Sequence, residues 1–241
     1  MTACLIIHGF TGGPYEVEPL AIHLKEETDW HVVTPNLPGH GLGDDGRDLD
    51  LLEVTYKDWI DEAEQAYLKL KKQHQQENIY LIGFSMGGMI ASYLAAKYTC
   101  AKLVLLSTSR KYISIPRITL DLFNFAQKAV RKKLKDDPLY NHYIRKYGSV
   151  PIKATREFLK CMKFTKPYLK DIYCPVFIAQ GIQDGMVPYK SAHYLDKEIP
   201  VEAEIIYYHD SKHLICLGED KDVVIDAVYQ FLTKANAVPN T

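Results

Sequence analysis

What this sequence lacks removes several classes of protein. It has no run of 18 apolar residues, so no transmembrane helix is expected. The opening MTACLIIHGF has no basic n-region, and His8 and Gly9 cut its apolar run short, which makes it a poor signal peptide. Only five cysteines occur, Cys4, Cys100, Cys161, Cys174 and Cys216, an odd set without pair spacing. They read as free thiols, which argues against a disulfide framework or a zinc site and leads to the expectation of a cytoplasmic protein. Charge of one sign is missing too: 29 Lys and Arg stand against 30 Asp and Glu, so no basic surface calls for nucleic acid. The glycine-rich run His8-Gly9-Phe10-Thr11-Gly12-Gly13 carries neither the Lys-[Ser/Thr] of a phosphate-binding loop nor the Gly-x-Gly-x-x-Gly dinucleotide spacing, and no nucleotide cofactor is expected. Repeats and low-complexity tracts are absent. What remains is 241 residues of ordinary globular composition, 47% hydrophobic and 24% charged, enough for one large core.

Six short runs dense in β-branched and large apolar residues read as strands: 3–8, 31–35, 78–83, 102–108, 174–180 and 204–209. They do not alternate strictly with polar residues, which is the mark of strands covered on both faces of a parallel sheet. Helical spacing recurs between them, over 15–27, 55–73, 86–97, 188–198 and 222–233, with Pro188 expected in the first turn of its helix. Alternating strands and helices predict right-handed crossovers and a doubly wound α/β sheet. About sixty residues between Ser107 and Tyr173 break the rhythm. Amphipathic patterns at roughly 117–135 and 151–162 suggest a helical insertion over one end of the sheet, an ordinary long crossover being the plainer alternative. The tail ANAVPNT is expected to fray.

Within NIYLIGFSMGGMIASYLAA, Ser85 sits between Gly83 and Gly87, where a strand pattern gives way to a helix pattern. Small residues at both positions permit a sharp turn with the serine Oγ exposed. A helix beginning at Met86 adds free N–H groups and the positive end of its dipole. The plain alternative, a serine N-cap, leaves Gly83 unexplained. A nucleophilic serine needs a base and an acid. Among nine histidines, His213 follows the last strand run and precedes the last helix, which suits the base; His209, at the strand end, is the second choice. Asp184, in the polar turn after 174–180, suits the acid, although Asp-Gly also favours turns by itself. The order Ser85, Asp184, His213 differs from that of the chymotrypsin and subtilisin arrangements. A second oxyanion donor is expected from the exit of the first strand, His8-Gly9-Phe10-Thr11-Gly12-Gly13, where the Phe10 N–H would join that of Met86. His8 reads as structural rather than as a second base. Asn36-Leu37-Pro38-Gly39-His40-Gly41 reads as a structural turn, despite His40 and the following Asp44 and Asp45.

His-Gly-Phe-Thr-Gly at 8–12, Pro-Gly-His-Gly at 38–41, Gly-Phe-Ser-Met-Gly-Gly at 83–88, the Asp184 turn and the His213 loop together resemble the α/β-hydrolase superfamily. More narrowly, they resemble small bacterial carboxylesterases related to monoacylglycerol lipases. The resemblance implies an α/β-hydrolase fold with a mostly parallel sheet of about six strands, lacking the two opening antiparallel strands. It implies a catalytic core from 1–108 and 171–241, with a helical cap over 109–170. Ser85, Asp184 and His213 would form the triad, and Phe10 and Met86 the oxyanion hole. Phe10, Ile118, Leu122, Phe123, Phe158 and Met162 would line the pocket, with Ile115 and Phe125 as further candidates. The expected reaction is hydrolysis of short- to medium-chain carboxylic esters through an acyl-enzyme, without metal or organic cofactor. Monoacylglycerol lipase, thioesterase, amidase or carbon–carbon bond hydrolase chemistry is the alternative, and a noncatalytic binding scaffold a remote one. The implied partner is a small-molecule ester, with no nucleic acid and no stable membrane anchor. The basic run Lys128, Arg131, Lys132 and Lys133 reads as a solvated face, and both a monomer and a homodimer fit.

Overall fold

The computed structural model describes residues 2–41, 50–74, 78–110 and 150–234. The expected helix over 117–135, the basic run, Asp44, Asp45 and the tail beyond 234 lie outside these residues, as do Ile115, Ile118, Leu122, Phe123 and Phe125.

Among the described residues, six strands are present: β1 (Ala3–Ile7), β2 (His31–Val33), β3 (Ile79–Phe84), β4 (Lys102–Leu106), β5 (Val176–Gly181) and β6 (Glu204–Tyr208). They form one sheet in the order β2-β1-β3-β4-β5-β6, with every pairing parallel. The four central strands are buried along their whole length, which explains their unbroken apolar runs. The edge strands are only partly buried, and β6 keeps Glu204 and Tyr207 on the surface.

Among the described residues, six α-helices cover the two faces: α1 (Glu18–Glu27), α2 (Tyr56–Gln73), α3 (Met86–Lys97), α4 (Ile152–Thr165), α5 (Lys190–Glu198) and α6 (Lys221–Thr233). Alternate strand residues sort into two cores, as the period of two requires. Leu5, Ile7, Leu81, Leu103 and Ile178 pack beneath α2, α3, α4 and α5. Ile6, Ile82, Val104, Leu106 and Phe177 pack beneath α1 and α6. Helix α3 is buried continuously from Met86 to Ala95, because it lies between the sheet and α4. Its apolar composition all round, rather than on one stripe, follows from that position.

Local chemistry sets several boundaries. Thr55 and Asp58 form a capping box that starts α2, and the hydrogen bonds from Thr55 hold the Asp58 carboxyl below its usual range. Pro188 differs from expectation: it precedes the first turn of α5, and its carbonyl accepts the Ser191 N–H at 2.7 Å. The chain is still turning out of the Asp184 loop there, so the helix begins two residues later. Lys102, at the start of β4, is buried, and its Nζ donates to the carbonyls of Phe231 and Leu232 at 2.8 and 3.1 Å. It thereby satisfies two of the open C-terminal carbonyls of α6. All five cysteines are free; Cys100 and Cys174, 74 positions apart, meet beside the paired starts of β4 and β5, and Cys100 Sγ donates to Lys102 O at 3.0 Å. Among the described residues, no helix is long and apolar enough to cross a membrane.

The chain runs from β1 outward to β2, then returns across β1 to β3. The strand order therefore reverses between β1 and β3. In open parallel sheets the crevice at such a reversal, beyond the carboxyl ends of the strands, is where ligands bind. Phe10 follows β1 and Ser85 follows β3, so both flank that crevice.

Candidate active site

Ser85 occupies the turn between β3 and α3 with φ 54° and ψ −116°. A positive φ on a non-glycine residue stores roughly 1–3 kcal/mol of strain, which the surrounding packing must hold. Two close approaches show why glycine flanks it. A Cβ on Gly83 would lie 2.3 Å from the Gly87 carbonyl oxygen, and one on Gly87 would lie 2.2 Å from that of Ile7. The Ser85 N–H donates to Leu106 O at 2.9 Å, which ties the turn to β4. Ser85 stands at the N-cap position of α3, yet its side chain makes no capping hydrogen bond. Its Oγ lies instead 3.0 Å from His213 Nε2.

His213 is carried by the loop after β6, packed edgewise against its neighbour. The Gln183 N–H donates to Ser211 O at 3.1 Å, and that of Ile182 to Tyr208 O at 2.9 Å. These bonds bring the β5 and β6 exits together. His213 Nδ1 then meets Asp184 Oδ2 at 2.8 Å. Asp184 Oδ1 accepts the N–H groups of Met186 and Val187, each at 2.8 Å, so the turn role and the partner role of this aspartate coexist. Ser85, Asp184 and His213 are 6%, 7% and 1% exposed, so the relay is shielded from water and its hydrogen bonds are not screened. His209, the second choice, is exposed and makes no part of this relay.

The β1 exit is built around a buried carboxylate. Glu16 Oε2 accepts the Gly9 N–H at 2.9 Å, and Thr11, at φ 63°, donates its hydroxyl to Phe10 O at 2.6 Å. These contacts fix the Phe10 peptide. Met86 is the first residue of α3, where an N–H has no intrahelical acceptor. His8 is fully buried, with Leu37 N–H donating to its Nε2 at 3.0 Å and Gly9 O 2.9 Å from its Nδ1. It joins the β1 exit to the 36–41 loop.

One wall beside the crevice is aromatic. The Phe10 ring stacks on Phe158 of α4 at 4.8 Å between centroids and tilts against Trp59 at 5.7 Å. His40 meets Phe10 edge-on at 6.1 Å. Met162 lies one helical turn from Phe158 and is partly buried against the same core. Helix α4 is tied to α2 where the Tyr56 N–H donates to Glu157 Oε2 at 3.3 Å.

Three polar residues escaped the sequence reading. Gln180 is fully buried, and its Nε2 reaches Gly181 O, Val187 O and Asp184 Oδ2 at 3.2, 3.1 and 3.3 Å. It supports the acid from below. A glutamine closing the apolar run CPVFIAQ was its only signal. Glu16 showed itself as an acid inside a glycine-rich loop, and Ser109 as the last hydroxyl of Ser-Thr-Ser after β4.

A hydroxyl, an imidazole and a carboxylate hydrogen-bonded in series at the carboxyl edge of a parallel sheet make the machinery of a serine hydrolase. The sequence pattern of the alpha/beta hydrolase fold matches residues 3–140, and the chain belongs to that family. It is 28% identical over 234 residues to a thermostable monoacylglycerol lipase of Bacillus sp. (strain H-257), covering 95% of this chain and 90% of that one. It is 24% identical to a carboxylesterase of Bacillus subtilis (strain 168), over 96% and 92% of the two chains. A solved structure of a metagenome-derived lipolytic enzyme superposes with a TM-score of 0.76 at 21% identity, over 97% of this chain and 94% of that one.

Proposed function

We propose that this protein is a carboxylesterase that cleaves short- to medium-chain carboxylic esters, with Ser85 as nucleophile, His213 as base and Asp184 as its orienting acid. The observation that carries the reading is the Ser85 side chain, which forgoes its helix-capping bond and faces His213 Nε2 at 3.0 Å. As Oγ attacks the ester carbonyl, His213 takes its proton. Asp184 holds the Nδ1–H tautomer and stabilises the imidazolium. The carbonyl oxygen, now negative, accepts from the Phe10 and Met86 N–H groups, one such donor being worth roughly 3 kcal/mol. The leaving alcohol receives the proton from His213. Water then repeats the sequence on the acyl-enzyme.

The ester class follows from two supports: the aromatic wall of Phe10, Trp59 and Phe158, which suits an apolar acyl or alcohol group, and the carboxylesterase and lipase relatives. On this reading residues 109–170 form a cap over the core, and Met162, Ile118, Leu122 and Phe123 complete the pocket. The five free thiols accord with a cytoplasmic location. Monoacylglycerol hydrolysis is the second reading, favoured by the 28% identical lipase. The test is turnover of p-nitrophenyl esters of increasing acyl length, beside 1-monoacylglycerols, a thioester and an amide. Butyrate or octanoate ester turnover that disappears in Ser85→Ala is expected. Parental activity in Ser85→Ala would sink the assignment, and a preference for glycerides would move it to the second reading.

A further inference from the structure

A second hydroxyl stands beside the Ser85 Oγ. Ser109 Oγ lies 3.2 Å from it, on a residue only 3% exposed. The two serines also share a backbone bond, from Ser109 N–H to Ser85 O at 3.3 Å. The strap carrying Ser109 is anchored on both sides. Ser107, at φ 42°, donates its N–H to Ala179 O at 2.9 Å. Ser191 Oγ, at the start of α5, donates to Thr108 O at 2.8 Å and accepts the Arg110 N–H at 3.1 Å. The Arg110 guanidinium, nearly buried, pairs with Glu198 at the end of α5, with Nε 2.6 Å from Oε2. Strands β4 and β5 and helix α5 therefore impose the position of Ser109.

The direction of each hydrogen bond follows from counting protons. The Asp184 carboxylate only accepts, so His213 Nδ1 carries the ring proton. Nε2 of the neutral ring then accepts, and the single proton of Ser85 points to it. The Ser85–Ser109 contact can be made only with the proton of Ser109.

We propose that Ser109 is a catalytic residue, whose hydroxyl donates to Ser85 Oγ and orients it for attack. The inference rests on the reading of Ser85 as the nucleophile. Oγ has four tetrahedral directions: its bond to Cβ, its proton on His213, one lone pair engaged by Ser109, and one lone pair left for the acyl carbon. During acylation the Oγ–carbon bond forms, the Oγ proton passes to His213 Nε2, and the carbonyl π pair moves to its oxygen; that pair then returns as the ester C–O bond breaks and the alcohol leaves with the proton. In deacylation a water oxygen bonds to the acyl carbon and gives its proton to His213, the Oγ–acyl bond breaks with its electron pair returning to Oγ, and His213 passes the proton to Oγ. Ser109 keeps its own proton throughout. It donates again as negative charge gathers on the departing Oγ, where a hydrogen bond gains strength.

The test compares Ser109→Ala with the parent in kcat and KM for p-nitrophenyl butyrate, and in the rate of inactivation by an alkyl fluorophosphonate, which reports attack by Oγ directly. Both kcat and the phosphonylation rate are expected to fall about tenfold, the scale of one neutral hydrogen bond, with KM within twofold. Ser109→Cys, similar in size but a weaker donor, is expected to fall between the two, and it serves in place of the alanine variant should that variant fail to fold. Parental rates in a folded Ser109 variant, or a change in KM alone, overturn the proposal. Ser85→Ala separates the two readings. If it is inert to ester and phosphonate while Ser109→Ala matches the parent, only the Ser109 role fails; if Ser85→Ala stays active, the nucleophile assignment fails with it.

Discussion

Asp184→Asn is the sharpest test of how the relay works, because the structure dictates what the new amide must do. Its oxygen has to take the Oδ1 position, since two N–H donors, Met186 and Val187, face that site at 2.8 Å. The reverse orientation would set an NH₂ against both. The amide nitrogen therefore takes the Oδ2 position and donates to His213 Nδ1. The ring then carries its proton on Nε2, where it meets the Ser85 hydroxyl as a donor instead of an acceptor. A base in the wrong tautomer costs about 10⁴ in turnover, equivalent to about 5.4 kcal/mol of transition-state stabilisation. Stability should change far less. Gln180 Nε2 stays on Gly181 O and Val187 O, while its 3.3 Å contact with Oδ2 becomes one donor facing another. That costs about 1–3 kcal/mol, or roughly 2–12 °C in Tm for a chain of this size. The assay is kcat for p-nitrophenyl butyrate at neutral pH beside a thermal melt. An Asp184→Asn protein within tenfold of the parent in kcat, with its fold intact, would refute the tautomer argument.

Two further outcomes follow from packing and burial. Gly87→Ala would push a methyl 2.2 Å from Ile7 O and 2.4 Å from His8 O, so the β1 exit must yield by roughly 1 Å. Because that exit carries Phe10, kcat is expected to drop about 100-fold; parental kinetics would show that the exit does not set the oxyanion geometry. Four of the five thiols should divide into two groups under Ellman's reagent at pH 8. Burial pushes Cys161 and Cys216 up to about 12 and Cys4 higher still, whereas the neighbouring Cys100 thiol holds Cys174 below its usual range. Cys174 is expected to react first, and Cys4, Cys161 and Cys216 only after unfolding; rapid labelling of any of those three in the native protein contradicts this.

Much of the architecture is legible locally. A strand covered on both faces must be apolar throughout, so residues such as Leu81, Ile82, Leu103 and Val104 announce the parallel sheet without knowledge of their partners. The turn at Ser85 is equally local, because its two glycines are needed by backbone contacts within and beside the same turn. The edge strand β6 is also where the run at 204–209 places it, but it is half wet rather than covered on both faces, and the loop that leaves it meets the exit of β5.

By itself, then, the sequence determined the six strands, the helices between them and the order in which a serine, an aspartate and a histidine leave the carboxyl edge, since each depends on short-range pattern. It could not determine which distant side chains meet. Gln180 beneath Asp184, Glu16 beneath Gly9, Phe158 over Phe10 and Ser109 beside Ser85 are products of strand order, register and loop path. A hydrogen bond or ring contact needs its partners placed to within a few tenths of an ångström. No periodicity in the chain encodes that placement; the packed sheet and helices supply it.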